Sequence, residues 1–80
     1  MPRRRSVKPF LLVLCDDDHR RFTVVGPMVD DTPWNSRVCD AQDRGRNVRC
    51  FTPDSAMTRE EVLESVQREL RLEYTDQPFV

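Results

Sequence analysis

The stretch Phe10-Leu-Leu-Val-Leu-Cys15 decides the fold, because it is the most apolar part of an 80-residue chain. It is much shorter than the ~20 residues that cross a bilayer, and it has the length of a β-strand. Because successive residues of a strand point to opposite faces, an unbroken apolar run predicts a strand that is covered on both. We therefore place this strand at the centre of a sheet.

A second strand is predicted directly after the first. The polar residues Asp16–His19 form a turn, and Arg20–Val25 follow as a strand that ends at Gly26-Pro27. Two strands joined by a loop of four residues form a hairpin. A symmetric hairpin pairs Cys15 with Arg20, Val13 with Phe22, and Leu11 with Val24.

The segment 32–45 is interpreted as a helix. Thr32 suits the N-cap and Pro33 the first helical position, where a missing N–H costs nothing. The alternative is a second hairpin between Cys39 and Cys50, around the Arg-Gly turn signal that separates them. The helix is favoured because apolar or small residues recur at helical spacing on one face: Trp34, Val38, Ala41 and Gly45.

A third strand and a second helix complete the pattern. Residues 47–52 alternate between apolar and polar types, which indicates a strand. Thr58 and Glu61 have the spacing of a capping box, with Met57 and Val62 at the positions of a hydrophobic staple. The second helix is expected to end near residues 72–74.

These elements predict an α+β fold with the order β-β-α-β-α. The three strands form an antiparallel sheet in the order 2-1-3, which puts the most apolar strand in the centre, and both helices pack on one face. Residues 1–8 are expected to be a disordered basic arm, residues 9–74 a single domain, and residues 75–80 a C-terminal tail.

Charge and cysteine content indicate a cytoplasmic protein. Residues 1–50 hold ten basic and seven acidic side chains, and residues 51–80 hold three and seven. A pI near 5.7 argues against a dedicated nucleic-acid binder. Three isolated cysteines suggest reduced thiols, and no leader pattern or membrane span is evident. Twelve of the thirteen basic residues are arginine, which suggests a bacterial or phage origin.

Catalytic and metal-binding interpretations are weak. The cluster Asp16–His19 lacks the alternating ligands and the glycine of a calcium loop, so a solvated turn is favoured. The alternative is a zinc site built from Cys15, His19, Cys39 and Cys50, but their spacings do not bring the ligands together. Because His19 is the only histidine, any Cys–His or Ser–His catalysis would depend on a residue in a turn. We therefore expect no enzyme activity, no metal and no cofactor.

The face of the sheet opposite the helices is the candidate binding surface. The third strand adds either Arg49 and Phe51 or Val48 and Cys50 to it, and we choose the first pair because the second suits the core better. An exposed apolar face needs a cover, which the C-terminal tail, a second copy or partner protein, or stacked single-stranded nucleic acid would provide. The predicted binding residues are Leu12, Leu14, Arg21, Thr23, Arg49 and Phe51.

The function predicted from the sequence is a small, non-catalytic protein-binding or accessory module, whose partner is a second copy (a homodimer) or another protein. The alternative is a nucleic-acid-binding module that uses the N-terminal arm and the arginines of the sheet. Its expected contacts are Arg20, Arg21, Arg44, Arg46 and Arg49. A steep fall of affinity with salt would favour this alternative.

Overall fold

The computed structural model describes residues 8–80. Its elements are, in chain order, β1 (Phe10–Asp16), β2 (Arg21–Met28), α1 (Thr32–Asp43), β3 (Val48–Phe51), α2 (Arg59–Leu70) and β4 (Glu73–Tyr74). The strands form one mixed sheet in the order β3-β1-β2-β4. The α+β class and the order of the first three strands are confirmed, whereas a purely antiparallel sheet of three strands is wrong. The predicted disordered arm, residues 1–8, lies outside the described residues except for the exposed Lys8.

The hairpin of β1 and β2 closes one residue later than predicted. Asp16 pairs with Arg21, Cys15 with Phe22 and Val13 with Val24, so the three predicted pairs are wrong. Arg20 instead occupies the turn with a left-handed φ of 53°, and the Asp16 carboxylate binds the side chains of His19 and Arg21 across the turn. Because each partner moves by two positions, the side chains of residues 12–15 and 22–25 still point to the predicted faces.

The two helices start differently. The N-cap of α1 is Asp31, whose side chain makes no cap hydrogen bond, and Thr32 is already helical. Helix α2 has the predicted capping box, in which Thr58 accepts from the Glu61 N–H and the Glu61 side chain accepts from the Thr58 N–H. This reciprocal pair satisfies two of the backbone donors that a helix start leaves without partners.

Strand β4 forms where the sequence predicted the end of a helix. Arg71 terminates α2 with a left-handed φ of 55°, which turns the chain back towards the sheet. Glu73 and Tyr74 then pair in parallel with Arg21 and Phe22 of β2. A strand of two residues carries no periodicity of its own, so sequence patterns do not reveal it.

The helices lie on opposite faces of the sheet, which corrects the prediction that both share one. Side chains of β1 alternate between the two faces, and each helix packs on one set. The α2 face consists of Val13, Cys15, Phe22 and Val24 with Val62, Val66 and Leu72. The α1 face consists of Leu12, Leu14 and Val48 with Val38 and Ala41. A central strand that is apolar on both sides therefore obtains a helix for each side.

The C-terminal residues complete the cover of the α1 face. The Thr75 N–H donates to the Phe22 carbonyl at 2.8 Å, which ties the tail to β2 just after β4. Phe79 and Val80 then pack against the cluster around Leu12 and Leu14. Within residues 8–80, neither helix is long and apolar enough to cross a membrane.

Candidate functional site

The sheet face predicted as a binding surface is an interior surface in the structure. Leu12, Leu14 and Thr23 retain 1% or less of their accessible surface, because α1 and the tail cover them. Arg21 lies at the rim of this face, and its guanidinium stacks on the Phe79 ring at 4.9 Å from the centroid. Intramolecular covering, the first of the three covers considered, therefore accounts for this face.

The other two predicted binding residues lie on the opposite face. Phe51 pairs with Val13, and Arg49 pairs with Cys15, and directly paired residues share a face. Both therefore project to the α2 side, whereas Val48 belongs to the α1 cluster. The prediction that Arg49 and Phe51 lie on the same face as Leu12 was wrong. Val48 and Cys50 lie on that face instead.

Arg49 and Phe51 line a groove of about 300 Å³ between β3 and α2. The groove exists because α2 packs over β2 and β4, so the α2-facing side of the edge strand β3 is left without a helix. Phe51 is half-buried at its floor, and Leu70, at 37% exposure, is among the most exposed large apolar side chains of the described residues. The remaining lining residues are Pro53, Asp54, Met57, Val62, Ser65, Val66 and Glu69.

Strand β3 also presents backbone groups along this groove. The Asp17 N–H donates to the Asn47 carbonyl at 2.8 Å, and in an antiparallel pair the bonded positions alternate. The backbone groups of Arg49 and Phe51 therefore face β1, and those of Val48 and Cys50 face outward. The Gln42 amide donates to the outward Val48 carbonyl at 2.8 Å. The N–H and C=O of Cys50 have no backbone partner within residues 8–80.

Three arginines of the predicted nucleic-acid surface are held by aspartates. Arg49 donates to the Asp17 carboxylate at 3.0 and 3.3 Å. Arg21 and Arg46 both lie against Asp16 Oδ2, at 3.2 and 3.7 Å. Of the two that remain, Arg20 lies in the hairpin turn and Arg44 follows α1, and both are exposed. The structure therefore does not gather the five predicted arginines into one free basic patch.

Asp16 organises one end of the sheet. Its carboxylate is fully buried. Asp16 Oδ2 accepts a hydrogen bond from Arg21 at 3.2 Å and lies 2.8 Å from His19 Nδ1. Burial by itself raises the pKa of Asp16, but the hydrogen bonds from His19 and Arg21 outweigh it, so the pKa lies below its usual value. Its Oδ1 atom is buried without a hydrogen-bond partner among the described residues. Because its partners are two arginines and a histidine of the same chain, this cluster ties the turn to the segment around Arg46.

The cysteines do not converge with His19. Cys15 is buried in the α2-side core, where burial raises its pKa to about 11. Cys50 lies on the other face and its thiol donates to the Asn35 side chain at 3.1 Å. Cys39 is exposed on α1, and all three are free thiols. Residues 8–80 contain no group of three or more His, Cys, Asp or Glu side chains placed to hold a metal ion.

Sequence reasoning missed the groove as a site. Its signals were present in the strand pattern, because Arg49 and Phe51 share one side of a short strand, and in Leu70, which follows Val62 and Val66 at helical spacing. These residues form a groove only because β3 is an edge strand and α2 lies over β2 and β4, and the sequence alone reveals neither fact. Comparison with protein-family models, curated proteins and solved structures found no significant match.

Proposed function

We propose that this chain is a non-catalytic protein-binding module and that it binds its partner in the groove between β3 and α2. The observation that carries the proposal is the apolar groove of about 300 Å³ beside a strand edge. A volume of this order accommodates a few side chains. Grooves beside sheet edges bind extended peptides through both side chains and backbone.

The composition of the groove supports a protein partner. Phe51, Met57 and Val66 provide an apolar floor, and Asp54 and Glu69 provide a polar rim. An apolar centre within a polar rim is the usual anatomy of a protein interface. Phe51 adds a half-exposed ring, and aromatic residues are enriched at the centres of such interfaces.

The proposal is tested by selection of displayed random twelve-residue peptides against the purified full chain. Enriched peptides are synthesised and their dissociation constants are measured against two variants. Ser65→Tyr places a ring inside the groove, and Gln67→Tyr places the same ring on an exposed position of α2 outside the groove. Thermal unfolding of both variants verifies that each is folded.

We expect Ser65→Tyr to weaken peptide binding by about tenfold or more, because the ring occupies space that a partner side chain needs. Gln67→Tyr is expected to bind as the parent chain does. The proposal is contradicted if no peptide is enriched, or if the enriched peptides bind both variants equally.

The nucleic-acid alternative has less support. Asp16 and Asp17 already neutralise Arg21, Arg46 and Arg49, so few arginines are left to contact phosphates. A titration with single-stranded DNA at 50 and 200 mM salt distinguishes the two functions. Binding to phosphates by several cations falls by orders of magnitude over this range, whereas we expect no measurable binding at either salt concentration.

A further inference from the structure

We propose that the partner adds to β3 as a further β-strand, as an extended segment in which apolar side chains that enter the groove alternate with basic ones. This inference rests on the proposed function and specifies how the groove is used. It assigns the backbone of β3, and above all Cys50, as the part of the site that pairs with the partner's main chain.

The two edges of the sheet differ in how they are closed. At the β2 edge, the Phe22 carbonyl accepts from Thr75 and the Val24 carbonyl accepts from the Arg59 guanidinium at 2.8 Å. Strand β4 pairs with Arg21 and Phe22 at the start of that edge. The outward groups of Cys50 at the β3 edge have no such cover in the described part of the chain. An unpaired strand edge is a template for another strand.

The groove lies beside this edge on one face only. A strand paired with β3 directs alternate side chains towards the α2 face, where they enter the space between Phe51 and Leu70. The intervening side chains point to the α1 face, beside Cys50 and Asn35. A partner with apolar residues at every second position therefore fits, and a partner that is apolar throughout would expose half of its side chains.

The charges around the edge favour a basic partner. Glu69 and Asp54 line the groove, and Asp31 lies near Cys50 on the α1 side, where its charge adds to the effect of burial in raising the pKa of the Cys50 thiol. The cation of the groove, Arg49, is held by Asp17 at 3.0 Å. The charges left for a partner are therefore negative on both sides of the edge, and lysine or arginine complements them.

The free edge is short, which limits the partner strand. Gln42 already occupies the Val48 carbonyl, and Pro53 has no N–H with which to extend pairing past Thr52. Cys50 therefore supplies the central pair of backbone hydrogen bonds. A partner segment of roughly five to seven residues spans this edge and the groove at about 3.3 Å per residue.

The test uses a blocked seven-residue peptide of alternating lysine and leucine, titrated into the isotope-labelled full chain and followed by amide NMR. We expect saturable shifts at Cys50, Thr52 and the groove-facing residues of α2. The matching peptide of alternating glutamate and leucine is expected to bind at least about tenfold more weakly, because its charges point to the α1 face and repel Asp31. Absence of shifts with the lysine peptide, or equal binding of the two peptides, would overturn the inference.

Two N-methylated forms of the lysine peptide test the backbone pairing. One carries methyl groups on the leucine amides and the other on the lysine amides, and only one of these sets faces β3 in an added strand. We expect one form to lose binding and the other to keep it, and the form that is kept reports the strand direction. If both forms bind or both fail, the partner does not pair as a strand.

A charge-reversal pair completes the test. Asp31→Lys changes the acidic residue on the face that the lysines of the peptide enter, and Asp40→Lys makes the same change on an exposed position of α1. We expect only Asp31→Lys to weaken the lysine peptide, by roughly tenfold. If peptides selected at random bind in a groove-dependent way while these results fail, the protein-binding function stands and strand addition is wrong.

Discussion

The two faces of this sheet share the apolar strand β1 but differ in how they are covered. On the α1 face, the helix lies against β3 and the tail adds Phe79 and Val80, so that Leu12 and Leu14 are fully buried. On the α2 face, the helix lies towards β2 and β4, and the side of β3 that bears Phe51 is left in an open groove. Both faces carry apolar residues, and the proposed binding site lies on the face where the helix is displaced from β3.

The largest expected effect distinguishes a buried face from an exposed surface. Leu12→Glu places a carboxylate in the fully buried α1 face, and the cost of desolvating it is about 5 kcal/mol or more, which exceeds or equals the stability of a small domain. We expect this variant to be unfolded by circular dichroism. The matched change Leu70→Glu, at a position with 37% exposure, is expected to leave the chain folded. A folded Leu12→Glu variant would mean that this face is open.

Asp16→Asn is expected to have the next largest effect. The substitution removes a buried charge that Arg21 and His19 bind, at a cost of about 2–4 kcal/mol at neutral pH. Denaturant unfolding measures this loss. The exposed aspartate Asp43 offers the control substitution Asp43→Asn, which should change the free energy of unfolding by less than about 0.5 kcal/mol.

The same residue predicts the pH dependence of stability. Because the folded pKa of Asp16 lies below its unfolded value, its contribution is complete above the unfolded pKa and is lost as the pH falls through the folded pKa. The parent chain should therefore lose stability below about pH 4 more steeply than Asp16→Asn does. Parallel acid limbs for the two chains would show that Asp16 does not carry this dependence.

Phe79→Ala tests the tail as a cover of the α1 face. It removes a half-buried ring that packs on the α1 cluster and stacks with Arg21, and we expect a loss of about 1–2 kcal/mol. The neighbouring Gln77→Ala, at an exposed position, is the control and should have little effect. An unchanged unfolding midpoint for Phe79→Ala would contradict the docking of the tail.

The smallest expected effect concerns the start of α2, the helix that forms one wall of the groove. Thr58→Ala removes the capping-box acceptor of the Glu61 N–H and should cost about 1 kcal/mol. Ser55→Ala, in the exposed loop before the helix, should cost much less. Equal thermal midpoints for the two variants would show that the cap does not contribute.

Local patterns predicted most of the elements but not their arrangement. The capping box at Thr58 and the apolar run of β1 act over a few residues, so the sequence alone reveals them. The side of the sheet that each helix takes follows from two crossover connections, β2 to β3 through α1 and β3 to β4 through α2. These run in opposite directions across the sheet and, having the same hand, place their helices on opposite faces. Strand β4 forms only because Arg71 turns the chain back onto β2, and this contact between distant segments has no sequence period.

The candidate site was only partly within reach of the sequence. Arg49 and Phe51 were identified as surface residues of a binding face, and both line the groove. Their partners on α2 could not be identified, because the position of a helix over a sheet depends on the packing of many side chains. For the same reason, the sequence could not show that α1 and the tail bury Leu12 and Leu14.

The most direct test of the free edge of β3 is amide hydrogen exchange, measured by NMR on the full chain without a partner. The Arg49 N–H faces β1 and should be protected, whereas the Cys50 N–H faces outward and should exchange at least about a hundredfold faster. A Cys50 amide that is as protected as that of Arg49 would show that the edge is already paired within the chain or with a second copy. That result would contradict the open edge on which the proposed binding site depends.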